Sequence, residues 1–590
     1  MELFCPGRLE GQDLLSSEDF DCYDGFGHGA FQRRMLLLCT LTSSLFACHT
    51  YAITLTAADV DHWCKQPLYT NVSAVEWRKV AIPVEANGRY SQCRQYAHPD
   101  DPNDTRTIPC SAWDYDETRA MMSMVSQWDL VCERRLLRIA LTMAHGASMA
   151  VFGIAAGCVA DSVGRKPVLL ASIAVLLVST LALCLARTYV AHAVINLFTS
   201  ASASATNIIT SILFFEVTTH GNRPLHVVIA VAVAVLASDL WFAIMRQFNI
   251  HWALKQAIFL APTYLTTPAF CLVIESPRWL VAKGRFQEAE DAMLAAAEVN
   301  LFPLHNTACL SEKLKTKAPH MCVQGHCTAD PKVLQGASIR KRAMVAFFCC
   351  FSGYFVLQVV ILSPPLRHAP PVFKWISIAV VGLSFAAMMV VITRLAMLQF
   401  ISTCFAMLFV LQCLLSLTAT IETQIVRQGL AVCAKALSLV GYVVYTAYSL
   451  ELFPTAIRGT ASGWIYGFGG LGAISSFVCV PLRNAGRDDV AFTLSACLMF
   501  ASLQVLRTLP RNTTAECAKF AVSSPSRIRQ RSIDHMKRTL EHRESRDAAD
   551  SIDHRERRAY RSRSSRSSSG RSKSSVDSFK STQSTLSLLR

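Results

Sequence analysis

Apolar residues along this chain gather into long blocks divided by short polar breaks. A helix needs roughly 20 apolar residues to cross the hydrocarbon of a bilayer. Blocks of that length fall at 35–55, 138–160, 168–186, 190–215, 226–246, 255–274, 343–363, 372–392, 396–417, 428–450, 460–481 and 491–509. The pattern predicts an all-α integral membrane protein of twelve spans, with both ends of the chain on one side. The fourth block is the least apolar and is placed partly by spacing.

Composition agrees. The 590 residues are 52% hydrophobic and only 17% charged, whereas soluble chains carry about a quarter charged residues. The net charge of +15 is concentrated towards the end of the chain. Residues 523–590 are rich in Arg and Ser and almost empty of large apolar residues. Such a segment cannot bury enough surface to offset chain entropy and is expected to be disordered. Residues 1–34 show no cationic start followed by an apolar core, so no cleavable signal is expected and the first span acts as the targeting signal.

Lys and Arg near the span ends set the orientation. The link at 161–167 carries Arg165 and Lys166. The segment between spans six and seven carries Arg278, Lys283, Arg285, Lys313, Lys315, Lys317, Arg340, Lys341 and Arg342. These links are expected in the cytoplasm, with the basic tail. The division is then a cytoplasmic segment 1–34, a six-helix half 35–274 containing an extracellular loop 56–137, a cytoplasmic loop 275–342, a second six-helix half 343–509 and a cytoplasmic tail 510–590.

The long first loop holds Cys64, Cys93, Cys110 and Cys132. Four cysteines outside the cell suggest two disulfides, with three possible connectivities. The same loop carries two glycosylation acceptors, Asn71 and Asn103; a third triplet at Asn512 lies on the cytoplasmic side. Cys309, His320, Cys322, His326 and Cys327 crowd the cytoplasmic loop, but their spacing fits no two-pair zinc template, and no metal site is expected.

Three strings stand at the predicted cytoplasmic ends. After span two come Asp161, Gly164, Arg165 and Lys166. Gly164 permits a tight turn between antiparallel spans, and Asp161 can accept from a neighbouring helix N-terminus. After span six comes Glu275-Ser276-Pro277-Arg278-Trp279-Leu280. There Ser276 can cap a helix begun by Pro277. Phe286, Ala289, Met293 and Ala297 follow at helical spacing, predicting a short amphipathic helix. Span ten closes on Glu451-Leu452-Phe453-Pro454-Thr455, with Arg458 and Gly459 beyond.

Together these strings resemble the major facilitator transporters, and within them the organic cation and anion branch, solute carrier family 22, and the related sugar porters. The long cysteine-bearing first loop separates the two. Its Asp61-His62-Trp63-Cys64 and its ending Ser126-Gln127-Trp128-Asp129-Leu130-Val131-Cys132 look like the organic ion branch, as do Gly25-Phe26-Gly27 and Phe31-Gln32. The resemblance runs over 25–514. It implies the major facilitator fold of two six-helix halves, a plasma-membrane location, and transport of small organic ions (cation, anion or a zwitterion such as carnitine) by rocking the halves about a midplane site. No cofactor is implied. The partners implied are the substrate, the lipid bilayer and a possible coupling ion or counter-substrate, without nucleic acid. Three departures stand out. Ser162 follows Asp161 where a basic residue is common, the link between spans eight and nine is only Thr393-Arg394-Leu395, and Gly470 occupies the span-eleven position where the family places Asp or Arg.

Ionisable residues within spans are costly and therefore candidates for function. Lys435 in span ten matches a family position where Lys or Arg is common and can meet an anionic group. Asp239 in span five can attract a cation or pair with Arg246. Tyr442, Tyr445 and Tyr448 share one face of span ten; Tyr354 and Gln358 lie in span seven, with Phe351 a turn earlier. Aromatic faces suit bulky organic ions, and equally suit helix packing. Small residues at Gly153 and Gly157, through 199–206 and through 467–472 allow close helix approach. An RNA-binding role for the Arg-Ser tail is excluded by anchoring through twelve spans. An enzyme is disfavoured because no nucleotide loop, metal pair or nucleophile–base pattern is present. A transporter relative acting as receptor or scaffold is the alternative.

Overall fold

The computed structural model describes residues 26–509 except 68–72, 86–87, 89, 100, 102–104, 117–122, 219–222, 271–272, 302–336, 368, 421–423 and 454. Asn71, Asn103, Pro454, Asn512, the tail and the cytoplasmic Cys/His cluster therefore lie outside the described residues.

Among the described residues, eleven helices are long and apolar enough to cross a membrane. Spans one to five are Ala30–Thr56, Arg135–Val163, Arg165–Leu185, Tyr189–Val217 and Arg223–Gln247. Spans seven to twelve are Ala337–Ile361, Pro371–Ile392, Met397–Leu417, Gln424–Glu451, Arg458–Ser475 and Asp488–Leu506. The sixth block departs from the expected continuous helix. It is built from Trp252–Leu260, Pro262–Leu265 and Thr267–Phe270. Pro262 and Pro268 each lack a donor and crowd the preceding turn, so the apolar run folds as pieces.

The weak apolarity of span four has a packing cause. In its best window 89% of residues are buried within the protein, against 33% for span three. A helix surrounded by other helices meets little lipid, so Ser, Thr and Asn are tolerated on all sides. Its hydroxyls bond back to its own carbonyls, as Ser202 does to Phe198 and Ser204 to Ser200, each at 2.8 Å.

The two halves touch most extensively where span two meets span eleven. Glycines line this seam. A Cβ on Gly463 would stand 2.5 Å from the Gly153 carbonyl oxygen, and one on Gly459 would stand 2.7 Å from that of Gly157. Gly470 faces the Gly146 carbonyl just as tightly. The backbones are in contact here, so a charged side chain in place of Gly470 would have no room. Spans five and eight, and five and ten, form the second contact between the halves.

The first loop folds as a small domain against one end of the bundle. Strand β1 (His62–Cys64) pairs antiparallel with β4 (Trp113–Tyr115), and β2 (Arg94–Tyr96) with β3 (Thr107–Pro109). Disulfides join Cys64 to Cys110 and Cys93 to Cys132, the interleaved choice among the three connectivities. His62 Nε2 lies 3.9 Å from Cys132 Sγ, but a sulfur held in a disulfide is not a thiolate and does not ligate metal as one. The domain is seated by Trp252, whose indole donates to Gln127 at 2.6 Å, and by Trp128, which donates to the Arg187 carbonyl at 3.2 Å.

At the other end, Ser276 caps the helix Pro277–Ala282 by accepting from the Trp279 N–H at 3.2 Å. The helix Phe286–Asn300 follows and buries Ala289, Met293, Ala296 and Ala297. Asn300 ends it by donating to the Phe26 carbonyl at 2.9 Å and accepting from the Phe31 N–H at 2.8 Å. The amphipathic helix thereby clasps the entry to span one.

Candidate functional site

The three strings converge at the end of the bundle opposite the loop domain. Gly164 turns the chain between spans two and three at φ +128°, a conformation that side chains rarely adopt. The turn delivers the Arg165 and Lys166 N–H groups to the Glu275 carboxylate at 3.0 and 3.1 Å. Asp161 accepts from the N–H groups of Gly459 at 3.1 Å and Thr460 at 2.6 Å, the first turn of span eleven. An acid at a helix N-terminus satisfies orphan donors and meets the positive end of the helix dipole. Here it also ties one half to the other.

Behind Asp161 the charges are buried and paired. Arg165 Nε lies 3.3 Å from Glu216 and Nη2 lies 3.1 Å from Asp161. Arg165 also donates to the Thr455 carbonyl at 2.8 Å, and so reaches the second half. Arg458 donates to Glu216 at 2.7 Å and to the Leu450 carbonyl at 2.9 Å. Trp279 packs beneath the Arg165 guanidinium and donates to the Asp161 carbonyl at 3.1 Å. Arg278 is buried beside Arg458, and Glu451 closes span ten nearby. Glu216 is absent from the sequence-derived candidates. It sits one residue past the apolar block at 190–215, and its signal is a lone acid after Phe214 and Phe215. With two guanidiniums on one carboxylate, it is the centre of the network.

A second cluster lies within the bundle. Lys435 Nζ meets Asp239 Oδ2 at 2.8 Å, joining span ten to span five and therefore one half to the other. Asp239 takes this partner rather than the expected alternative, Arg246. Tyr51 of span one lies beside the same carboxylate. Spans seven, ten and eleven add phenols: Tyr354 and Tyr442 meet edge to face with ring centroids 5.6 Å apart. Both line a small cavity with Tyr445, Tyr466, Cys350 and Thr446. The Tyr445 hydroxyl donates to the Ala346 carbonyl while its ring stays in the lining. Gln358, one turn past Tyr354, is half-buried and outside that lining.

The sequence pattern of the Major Facilitator Superfamily matches residues 136–476. The chain belongs to the major facilitator superfamily. Solute carrier family 22 member 7 of mouse is 26% identical over 491 residues, covering 76% of this chain and 86% of that protein. The steroid transmembrane transporter SLC22A24 of rat is 25% identical over 481 residues, covering 76% and 85%. Among solved structures, the proton:xylose symporter XylE superposes with a TM-score of 0.58 at 14% identity, covering 81% of this chain and 96% of its own. That likeness speaks for the fold alone. Over about three-quarters of its length this major facilitator chain is similar to members of solute carrier family 22. It is a multi-pass membrane protein, typically of the plasma membrane, that moves small organic substrates across the bilayer, and it is a transporter rather than an enzyme.

Proposed function

We propose that this transporter carries small organic ions by alternating access, with the loop domain outside and the Asp161 network at the cytoplasmic end. The observation that carries the reading is the Asp239–Lys435 pair, a buried ionic contact of 2.8 Å between the two halves. An anionic group of a substrate would take the place of Asp239 on Lys435. A cationic group would take the place of Lys435 on Asp239, and a zwitterion such as carnitine could satisfy both. Tyr51, Tyr354 and Tyr442 would supply apolar and cation–π contact beside that exchange. Because Gly470 is committed to the seam, this pair rather than span eleven would read the substrate charge.

Disulfides form in oxidising compartments, which supports placing the loop domain outside. The basic links at the opposite end support the same orientation. Asp161, Gly164, Arg165, Glu275, Arg278, Glu451 and Arg458 would act as the cytoplasmic gate, opening when span eleven leaves span two. A coupling ion or counter-substrate would complete the cycle. The relative named for steroid transport adds support for an amphipathic organic substrate.

The test is uptake of tetraethylammonium, p-aminobenzoate and carnitine into cells with verified surface expression. Saturable uptake of at least one is expected, with Lys435→Ala altering the preference among them. No uptake of any probe would favour a receptor or scaffold role instead.

A further inference from the structure

The outer end carries a second ionic contact between the halves, of different character. Asp59 follows span one. One of its oxygens accepts from Arg138 of span two, and the other from Arg367, just beyond span seven. One guanidinium comes from each half. Arg135 stands one turn before Arg138 and lies within electrostatic reach of Asp59, Arg138 and Arg367. Among the described residues Arg135 has no ion pair of its own. Arg483 approaches Arg367 but is engaged by Asp488 and the Val359 carbonyl. Three guanidiniums therefore gather around one carboxylate, which pairs with two of them. These groups are open to water: the side chains of Asp59 and Arg367 are 59% and 40% exposed.

We propose that Arg135, Arg138 and Arg367 form an outer capture site for the carboxylate of an organic anion, occupied between transport cycles by Asp59. The inference rests on the carrier reading above. Asp59 shows which chemistry the site accepts, since a carboxylate already bridges the two halves there, one oxygen to each guanidinium. Guanidinium groups match carboxylates in charge and planar geometry. Exposed pairs of this kind gain little from being made, so an incoming carboxylate can displace Asp59 without a large barrier. The uncompensated positive charge also draws anions towards the mouth, a long-range effect that salt screens. Displacing Asp59 replaces the link that the chain itself makes between the outer ends of the two halves with one made by the substrate, which parts when the substrate moves inwards.

The test compares p-aminobenzoate with tetraethylammonium in cells expressing wild type, Arg135→Gln, Arg367→Gln and Asp59→Asn, each checked by surface labelling. Arg135→Gln should raise the KM for p-aminobenzoate roughly three- to ten-fold and leave that for tetraethylammonium unchanged. Asp59→Asn should lower the p-aminobenzoate KM by removing the internal competitor. The wild-type anion KM should rise with ionic strength, and Arg135→Gln should flatten that rise. An unchanged anion KM in Arg135→Gln, or equal shifts for both probes, overturns the capture site. If wild type moves tetraethylammonium but not p-aminobenzoate, the capture site fails and the carrier reading stands. If wild type moves neither, nor carnitine, the carrier reading fails. Equilibrium binding of p-aminobenzoate to the purified chain then decides the capture site alone: binding weakened by Arg135→Gln supports it, and no binding overturns it.

Discussion

At the inner end of the bundle the halves are joined through buried charge; at the outer end they are joined through one exposed carboxylate. Glu216 is fully buried between Arg165 and Arg458, and Asp161 bonds to the backbone N–H groups of Gly459 and Thr460 and pairs with the buried Arg165. Asp59 meets two arginine side chains in water. The physics of the two is opposite. A buried ion pair has lost its hydration and becomes expensive when one partner is removed. An exposed pair gives up little when it parts. The inner contact is thus suited to holding a state, and the outer one to yielding to whatever arrives.

The largest way to break this contrast is to remove the inner acid. Glu216→Gln leaves two buried guanidiniums short of a partner, and should cost about 3–5 kcal/mol. Thermal unfolding in detergent and surface labelling should both show the loss, whereas Asp59→Asn should leave both close to wild type. Comparable losses in the two variants would erase the distinction.

Next comes the seam. Gly459→Ala would press a methyl against Asp161 and the Gly157 carbonyl, and overpacking of this kind costs about 1–3 kcal/mol. Transport should fall with the protein still at the surface, since only the contact between halves is crowded. Full uptake in this variant would show that the seam is looser than its geometry.

The central pair sharpens the comparison. Lys435→Ala leaves Asp239 buried without its cation and should reduce uptake of an anionic probe more than that of a cationic one. Adding Asp239→Asn should recover total uptake without recovering the charge preference. Recovery of both would make the pair purely structural.

The smallest effect concerns pH. Crowding by its neighbours takes some water from Asp59 and works against its charge, but the Arg138 and Arg367 guanidiniums outweigh this and hold the carboxyl down to about 2. Its folded value lies below the ordinary one of about 4, so its stabilisation is complete above about pH 4 and disappears as pH falls towards 2. Between about pH 5.5 and 8, wild type and Asp59→Asn should therefore show parallel uptake profiles. Divergence within that range would mean that the Asp59 carboxyl itself titrates there and is not held low by its two guanidiniums.

Much of this arrangement was legible in the residues because its causes are local. Span-length apolar runs, the cap at Ser276 before Pro277, and the turn at Gly164 each follow from short stretches of chain. Asp161 and Arg165 were marked by their spacing. Other features depend on partners far away in sequence. Asp239 and Lys435 are 196 positions apart, and neither span signals the other. Glu216 belongs to no string that singles it out, because its two arginines come from different links. Gly470 stands in the sequence as a missing charge, and only the Gly146 backbone packed against it explains the glycine. The break in span six was written in Pro262 and Pro268, but the apolarity of the whole block masked it.

The interleaved disulfides carry a consequence for biosynthesis. Cys132 lies three residues before span two begins, and it closes the bridge that starts at Cys93. A ribosome delivers the chain in order, so, with the loop domain outside as proposed, that bridge can form only once the entire loop has been handed across the membrane. The first bridge, Cys64 to Cys110, can close earlier and spans 46 positions. Maturation of the outer domain is therefore timed by the arrival of span two at the translocation channel. A nascent chain halted before that point would leave Cys93 as a free thiol.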